Sequence, residues 1–140
     1  MLTTEIPHEQ QTLKRLAVLV ADDVVDIQDL ASRWLTPRGF CVVGASTGHD
    51  ALRLARQEHF DLIVADVLMP DGDGLDIIME LKCGAEPPPI LAISGGGRYM
   101  NATACIQLAN GLGADGVLLK PFNEAQFLVA VERILGNDIV

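Results

Sequence analysis

Leu16-Ala17-Val18-Leu19-Val20-Ala21-Asp22-Asp23 is a run of aliphatic residues ended by two acids. A stretch this short and this uniformly apolar suits a strand buried on both faces, the kind from which parallel sheets are built. The pattern returns four more times, at residues 41–45, 62–65, 90–93 and 117–119. Between these runs the spacing changes. Ile27, Leu30, Ala31, Trp34 and Leu35 recur at i, i+3, i+4, i+7 and i+8 and form one helical stripe, which Pro37 and Gly39 bring to an end. Further helices are predicted over 49–58, 75–82, 99–112 and 123–135, the last with Asn123 as N-cap and Gly136 as terminator. Strands alternating with helices predict an α/β fold, a doubly wound parallel sheet covered on both faces.

The rest of the chain sets bounds on function. Its 140 residues suit a single domain, and 49% apolar with 21% charged residues supports an ordinary core, which excludes disordered and collagen-like classes. We expect a tail over 1–14, one domain over 15–136, a short tail over 137–140 and no output domain. Nineteen acids against ten bases, net charge −9, lack the basic footprint of phosphate-backbone recognition, so no direct DNA binding is expected. Cys41, Cys83 and Cys105 are odd in number and have no C-x-x-C spacing, which argues against a disulfide framework or structural zinc. His8, His49 and His59 match no ligand spacing. No run reaches the roughly 18–20 apolar residues of a membrane helix, and the first residues are too polar for a signal peptide, so a cytoplasmic location without membrane contact is expected.

In open parallel sheets, ligands bind beyond the carboxyl ends of the strands. The strand ends here carry Asp22 and Asp23, then Ser46, Asp66, Ser94 and Lys120. Three crowded carboxylates repel one another unless a cation joins them, and oxygen donors without His or Cys favour Mg²⁺, with Mn²⁺ as an alternative. With that ion and Lys120 the charges balance, leaving a site suited to phosphoryl transfer. Asp66, at the end of the central strand and followed by a turn built on Met69-Pro70 and glycines, is the candidate nucleophile, forming an acyl phosphate. Ser94 can donate its hydroxyl to one phosphoryl oxygen and Lys120 its charge to another.

Asp22-Asp23, Asp66-Val67-Leu68-Met69-Pro70-Asp71-Gly72-Asp73-Gly74, Ser94 and Lys120-Pro121-Phe122, in this order at successive strand ends, resemble the receiver domain of two-component response regulators. The resemblance runs from about Arg15 to Leu135. It implies a flavodoxin-like (βα)5 fold of strand order 2-1-3-4-5, for which a member of this family is a standard illustration. It implies that Asp66 is the phospho-acceptor, Asp23 a direct Mg²⁺ ligand, Asp22 a second acid acting mainly through water, and the Leu68 carbonyl the remaining protein ligand. It also implies a cis Lys120–Pro121 peptide. The expected function is that of a single-domain signalling phosphoprotein in a phosphorelay, taking its phosphoryl group from a sensor histidine kinase or histidine phosphotransfer protein and acting on a downstream protein. Such a chain is not a turnover enzyme, although it catalyses its own phosphorylation and dephosphorylation.

One position departs from the family pattern. Receivers commonly carry Tyr or Phe three residues before the lysine, and here Val117 stands there. Switching is therefore expected through Ser94, Gly95 and Gly96, where Gly95-Gly96-Gly97 has large conformational entropy to lose on ordering. The fourth helix carries no charge between Arg98 and Asp115, so with the fifth strand and helix it offers a partner or homodimer surface. Two rival functions remain. A phosphorylation-independent scaffold usually loses acids or the lysine retained here. A phosphohydrolase of the haloacid-dehalogenase type needs an acid two residues after the nucleophile, where this chain has Leu68. Asp71 to Asp76 superficially suggest a calcium loop but lack its bidentate Glu, and read as a turn with a helix cap.

Overall fold

A computed structural model describes residues 16–67, 69, 74–95 and 102–136. The elements are β1 (Leu16–Ala21), α1 (Val25–Leu35), β2 (Phe40–Ala45), α2 (Gly48–Gln57), β3 (Leu62–Asp66), α3 (Gly74–Lys82), β4 (Ile90–Ser94), α4 (Ala102–Gly111), β5 (Gly116–Leu119) and α5 (Glu124–Leu135), with a 3₁₀ turn at Thr36–Arg38 after α1. The strands form one sheet of order β2-β1-β3-β4-β5 with every pairing parallel. This is the flavodoxin-like order predicted from the sequence.

Strand side chains alternate between faces, and each face has its own core. Leu19, Ala21, Ile63, Ala65, Ile90 and Ala92 point to one side, against Ala51 of α2, Ile77 and Ile78 of α3 and Ala109 of α4. Val18, Val20, Leu62, Val64, Leu91 and Ile93 point to the other, against Ala31 and Leu35 of α1 and Phe127, Leu128 and Val131 of α5. Apolar packing on both sides accounts for the unbroken aliphatic runs that identified the strands.

Local chemistry sets several helix ends. Thr47 caps α2 by accepting from the Asp50 amide, and Asn123 forms a reciprocal capping box with Gln126 at α5. Gly39 and Gly136 end their helical segments at φ 92° and 70°, backbone that side-chain-bearing residues adopt only at a cost.

The boundaries correct the sequence reading in small ways. β2 begins at Phe40, β3 runs on through Asp66, β4 through Ser94, and β5 starts at Gly116. Pairing continues because the partners are present: Asp66 lies in register with Ile93, and Ser94 with Leu119. Asp66 and Ser94 are thus terminal strand residues, held by the sheet rather than by a loop. α2 spans Gly48–Gln57, α3 begins at Gly74, α4 is described over Ala102–Gly111, and Asn123 stands outside α5 as its cap. Of the expected α4, residues 99–101 lie outside the described set. No helix among the described residues is long and apolar enough to cross a membrane.

Candidate functional site

Strand order places the carboxyl end of β3 between those of β1 and β4, with β5 next to β4. Asp22, Asp66, Ser94 and Lys120, far apart in sequence, therefore stand along one sheet edge. Asp22 and Ser94 are fully buried and Asp66 nearly so. Lys120 Nζ donates to Asp66 Oδ2 at 3.0 Å and pairs with Asp22 Oδ2 at 3.2 Å. The second contact is an ion pair without hydrogen-bond geometry, so Asp22 Oδ2 is a buried acceptor lacking a hydrogen bond among the described residues.

The main chain holds Asp22 in place. Its amide donates to the Ala45 carbonyl at 3.0 Å, and its Oδ1 accepts from the Val24 amide at 2.9 Å. Burial pushes the Asp22 carboxyl above the ordinary carboxylate range; the Val24 amide opposes this and the Asp66 charge adds to it. Burial works to lower the Lys120 ammonium, but the Asp66 carboxylate, with Asp22 adding to it, outweighs that and raises it above 10.5.

Asp23 is exposed beside this buried pair, and carboxylate oxygens of Asp22, Asp23 and Asp66 all lie within 4.8 Å of one another. Three hard oxygen donors at this separation, one of them short of a hydrogen bond, fit a divalent ion of the Mg²⁺ class. Ser94 Oγ is likewise buried without a hydrogen-bond partner among the described residues, an arrangement folded proteins seldom tolerate except at working sites. Leu68, the expected carbonyl ligand, lies outside the described residues, as does Gly96.

Two glycines shape the pocket. A Cβ on Gly74 would stand 2.6 Å from the Asp66 carbonyl carbon and 2.8 Å from Val67 Cα, so only glycine lets the start of α3 pack on the Asp66 backbone. A Cβ on Gly95 would approach Lys120 Cδ to 3.3 Å, so the missing side chain leaves room for the lysine stem. Composition alone marked Gly74 as a turn residue; its contact with Asp66 exists only once β3 and α3 meet.

The Lys120–Pro121 peptide is cis. The following Phe122 joins an aromatic group, its ring 6.2 Å from Trp34 and 5.8 Å from Phe127. Ile27, Leu30, Gly95, Lys120, Pro121 and Phe122 line an open, mainly apolar hollow beside the acidic pocket. Sequence reading assigned Trp34 only to the α1 stripe and had no signal for its edge-on contact with the residue after the cis proline. Val117 lies half-buried on β5 and lines, with Val129 and Ala130 of α5, a shallow groove between that strand and helix. Ser46, grouped with the edge residues from sequence, instead accepts a hydrogen bond from Gln28.

Comparison with known proteins bears on this arrangement. A family model described as the response regulator receiver domain matches residues 18–132. The probable transcriptional regulatory protein SilR of Salmonella typhimurium is 31% identical over 127 residues, which are 89% of this chain and 54% of that protein. The transcriptional regulatory protein CusR of Escherichia coli strain K12 is 31% identical over 120 residues, 86% of this chain and 51% of that protein. The chain spans about half the length of the curated relatives it matches. Among solved structures, the chemotaxis response regulator CheY4 of Vibrio cholerae superposes with a TM-score of 0.78 at 30% identity, covering 87% of this chain and all of that one. The receiver domain of NtrX from Brucella abortus gives 0.76 at 28% identity, covering 86% and 99%.

Proposed function

This chain belongs to the response regulator receiver domain family, and from that premise we propose that Asp66 accepts a phosphoryl group from a phosphohistidine of a sensor histidine kinase or histidine phosphotransfer protein. The observation that carries the reading is the placement of Asp66 between Asp22 and Lys120 at one sheet edge, with Asp23 within metal-sharing distance. An Asp66 carboxylate oxygen attacks phosphorus while the bond from phosphorus to the donor's imidazole nitrogen breaks, giving an aspartyl phosphate and free histidine. Asp22, Asp23 and Asp66 would hold Mg²⁺, with the Leu68 carbonyl as a further ligand, and the ion when bound supplies countercharge to the transferring phosphoryl oxygens.

The other groups have definable tasks. Lys120 leaves Asp22 and turns its ammonium to a phosphoryl oxygen, and Ser94 satisfies its free hydroxyl on another. Because Ser94 is fully buried, this contact requires movement at the end of β4, which passes to Gly95 and to the Val117 region of β5. We read the output as a change of shape presented to a partner protein, with the α4-β5-α5 face as the surface for a partner or a homodimer. The net charge of −9 supports contact with protein rather than with DNA by this domain itself.

Intact-mass spectrometry after incubation with Mg²⁺ and acetyl phosphate tests the reading. One phosphoryl group is gained by the native chain and none by Asp66→Ala or in the presence of chelator. Failure to gain it, together with failure to bind beryllofluoride, would transfer the argument to a phosphorylation-independent scaffold.

A further inference from the structure

Gln28, on the first turns of α1, reaches across the ends of two strands. Its Nε2 donates to the Asp22 carbonyl at 2.8 Å, to Ser46 Oγ at 3.1 Å and to the Ala45 carbonyl at 3.2 Å. The two carbonyls only accept, so the nitrogen must face them and Oε1 must face away. Oε1 lies where a side chain on Gly44 would begin: a Cβ built there would overlap it, and would stand 2.9 Å from Gln28 Cδ. Gly44 has ordinary β2 pairing with Val20, so its lack of a side chain serves the glutamine rather than the turn of the chain.

The consequence concerns Asp23. A planar trans peptide fixes the direction of the following residue once its carbonyl is held. Gripping the Asp22 carbonyl therefore orients the Asp22–Asp23 peptide, while the Asp22 amide on the Ala45 carbonyl and the Val24 amide on Asp22 Oδ1 fix the two sides of the turn. We propose that Gln28 is a positioning residue for the metal-binding carboxylates, a latch that holds the Asp22–Asp23 corner against the end of β2, and that Gly44 is glycine to admit it. This rests on the receiver reading only in taking Mg²⁺ as the ion that the corner serves.

The test compares Gln28→Leu, Gly44→Ala and the double variant by two measurements. In metal-free protein, the Val24 amide is expected to exchange with solvent at least about fivefold faster in each single variant, because its acceptor is no longer held. Mg²⁺ titrated calorimetrically is expected to bind about tenfold or more weakly, the usual cost of losing a group that orients a ligand. Acetyl phosphate labelling at saturating Mg²⁺ should remain within about twofold, a split that general unfolding would not produce. The double variant should be no worse than the poorer single, since both substitutions remove one latch. Unchanged Val24 exchange, native Mg²⁺ affinity in folded Gln28→Leu, or additive losses in the double variant would each overturn the latch. A native chain that binds no Mg²⁺ would instead overturn the receiver reading, and the metal-free exchange would still decide the latch.

Discussion

Lys120 Nζ stands 3.0 Å from Asp66 Oδ2 and so serves as an internal cation between two buried carboxylates. It occupies the electrostatic position that a divalent ion would share, which makes metal and lysine competitors for the same oxygens. Lys120→Met is therefore expected to bind Mg²⁺ several-fold more tightly while its phosphorylation by acetyl phosphate slows by about 100-fold, because the phosphoryl group loses its countercharge. Calorimetry and timed mass spectra read the two effects separately. A variant with weaker Mg²⁺ binding would refute the competition.

The same pair governs behaviour in alkali. The folded Lys120 ammonium is raised above 10.5, so its stabilising contribution is complete below that value and is lost as pH rises through the higher folded pKa. Urea midpoints of metal-free protein should fall from about pH 10.5 upward. Lys120→Met, less stable than the native chain at neutral pH, should show a smaller fall.

Asp22 has the opposite sign. Its folded pKa is raised above 3.8, so the folded state binds the proton more tightly, and stability declines as pH rises through the interval between 3.8 and the folded value. Above that interval the ionised, buried carboxylate is a standing cost, which a bound divalent ion would relieve. Asp22→Asn keeps an oxygen for the Val24 amide and removes the charge. Its metal-free melting temperature at pH 7 should rise by roughly 3–6 °C, as about 1 kcal/mol gives at this size. The gain in melting temperature on adding Mg²⁺ should shrink.

Gly74→Ala tests the contact between α3 and the Asp66 backbone. The new methyl would press on the Asp66 carbonyl and Val67 Cα, rigid main-chain atoms that move only with the strand. A loss of about 2–3 kcal/mol is expected by urea denaturation, in the range of overpacked interiors. Aspartyl phosphate formation should drop with it, even under conditions where the variant remains folded.

Trp34, the single tryptophan, meets edge-on the ring of Phe122, two residues after Lys120. Binding of Mg²⁺ with beryllofluoride should change its emission, since movement of Lys120 passes through Pro121 to the ring that meets Trp34 edge-on. Phe122→Leu should abolish most of that change and cost about 1–2 kcal/mol of stability, from lost ring packing in a half-buried site. An undiminished signal in that variant would mean that Trp34 senses the site by another route.

Much of this protein is legible in its sequence because the signals are local. Leu16–Ala21 reads as a doubly buried strand from its own composition, the α1 stripe from its own spacing, and the start of α5 from Asn123 as its N-cap. The acids, Ser94 and Lys120 were placed at strand ends by the same reading, and their succession identified the family. Only the tertiary structure decided the relations between those ends. That Lys120 is shared by Asp22 and Asp66, that Gly74 must be bare to lie on Asp66, and that Gly44 makes room for Gln28 depend on which elements are neighbours and on close packing between residues 8 to 98 positions apart in sequence. Periodicity and composition are properties of adjacent residues and survive in the unfolded chain. A shared ammonium or a missing Cβ has meaning only against a neighbour that folding brings there.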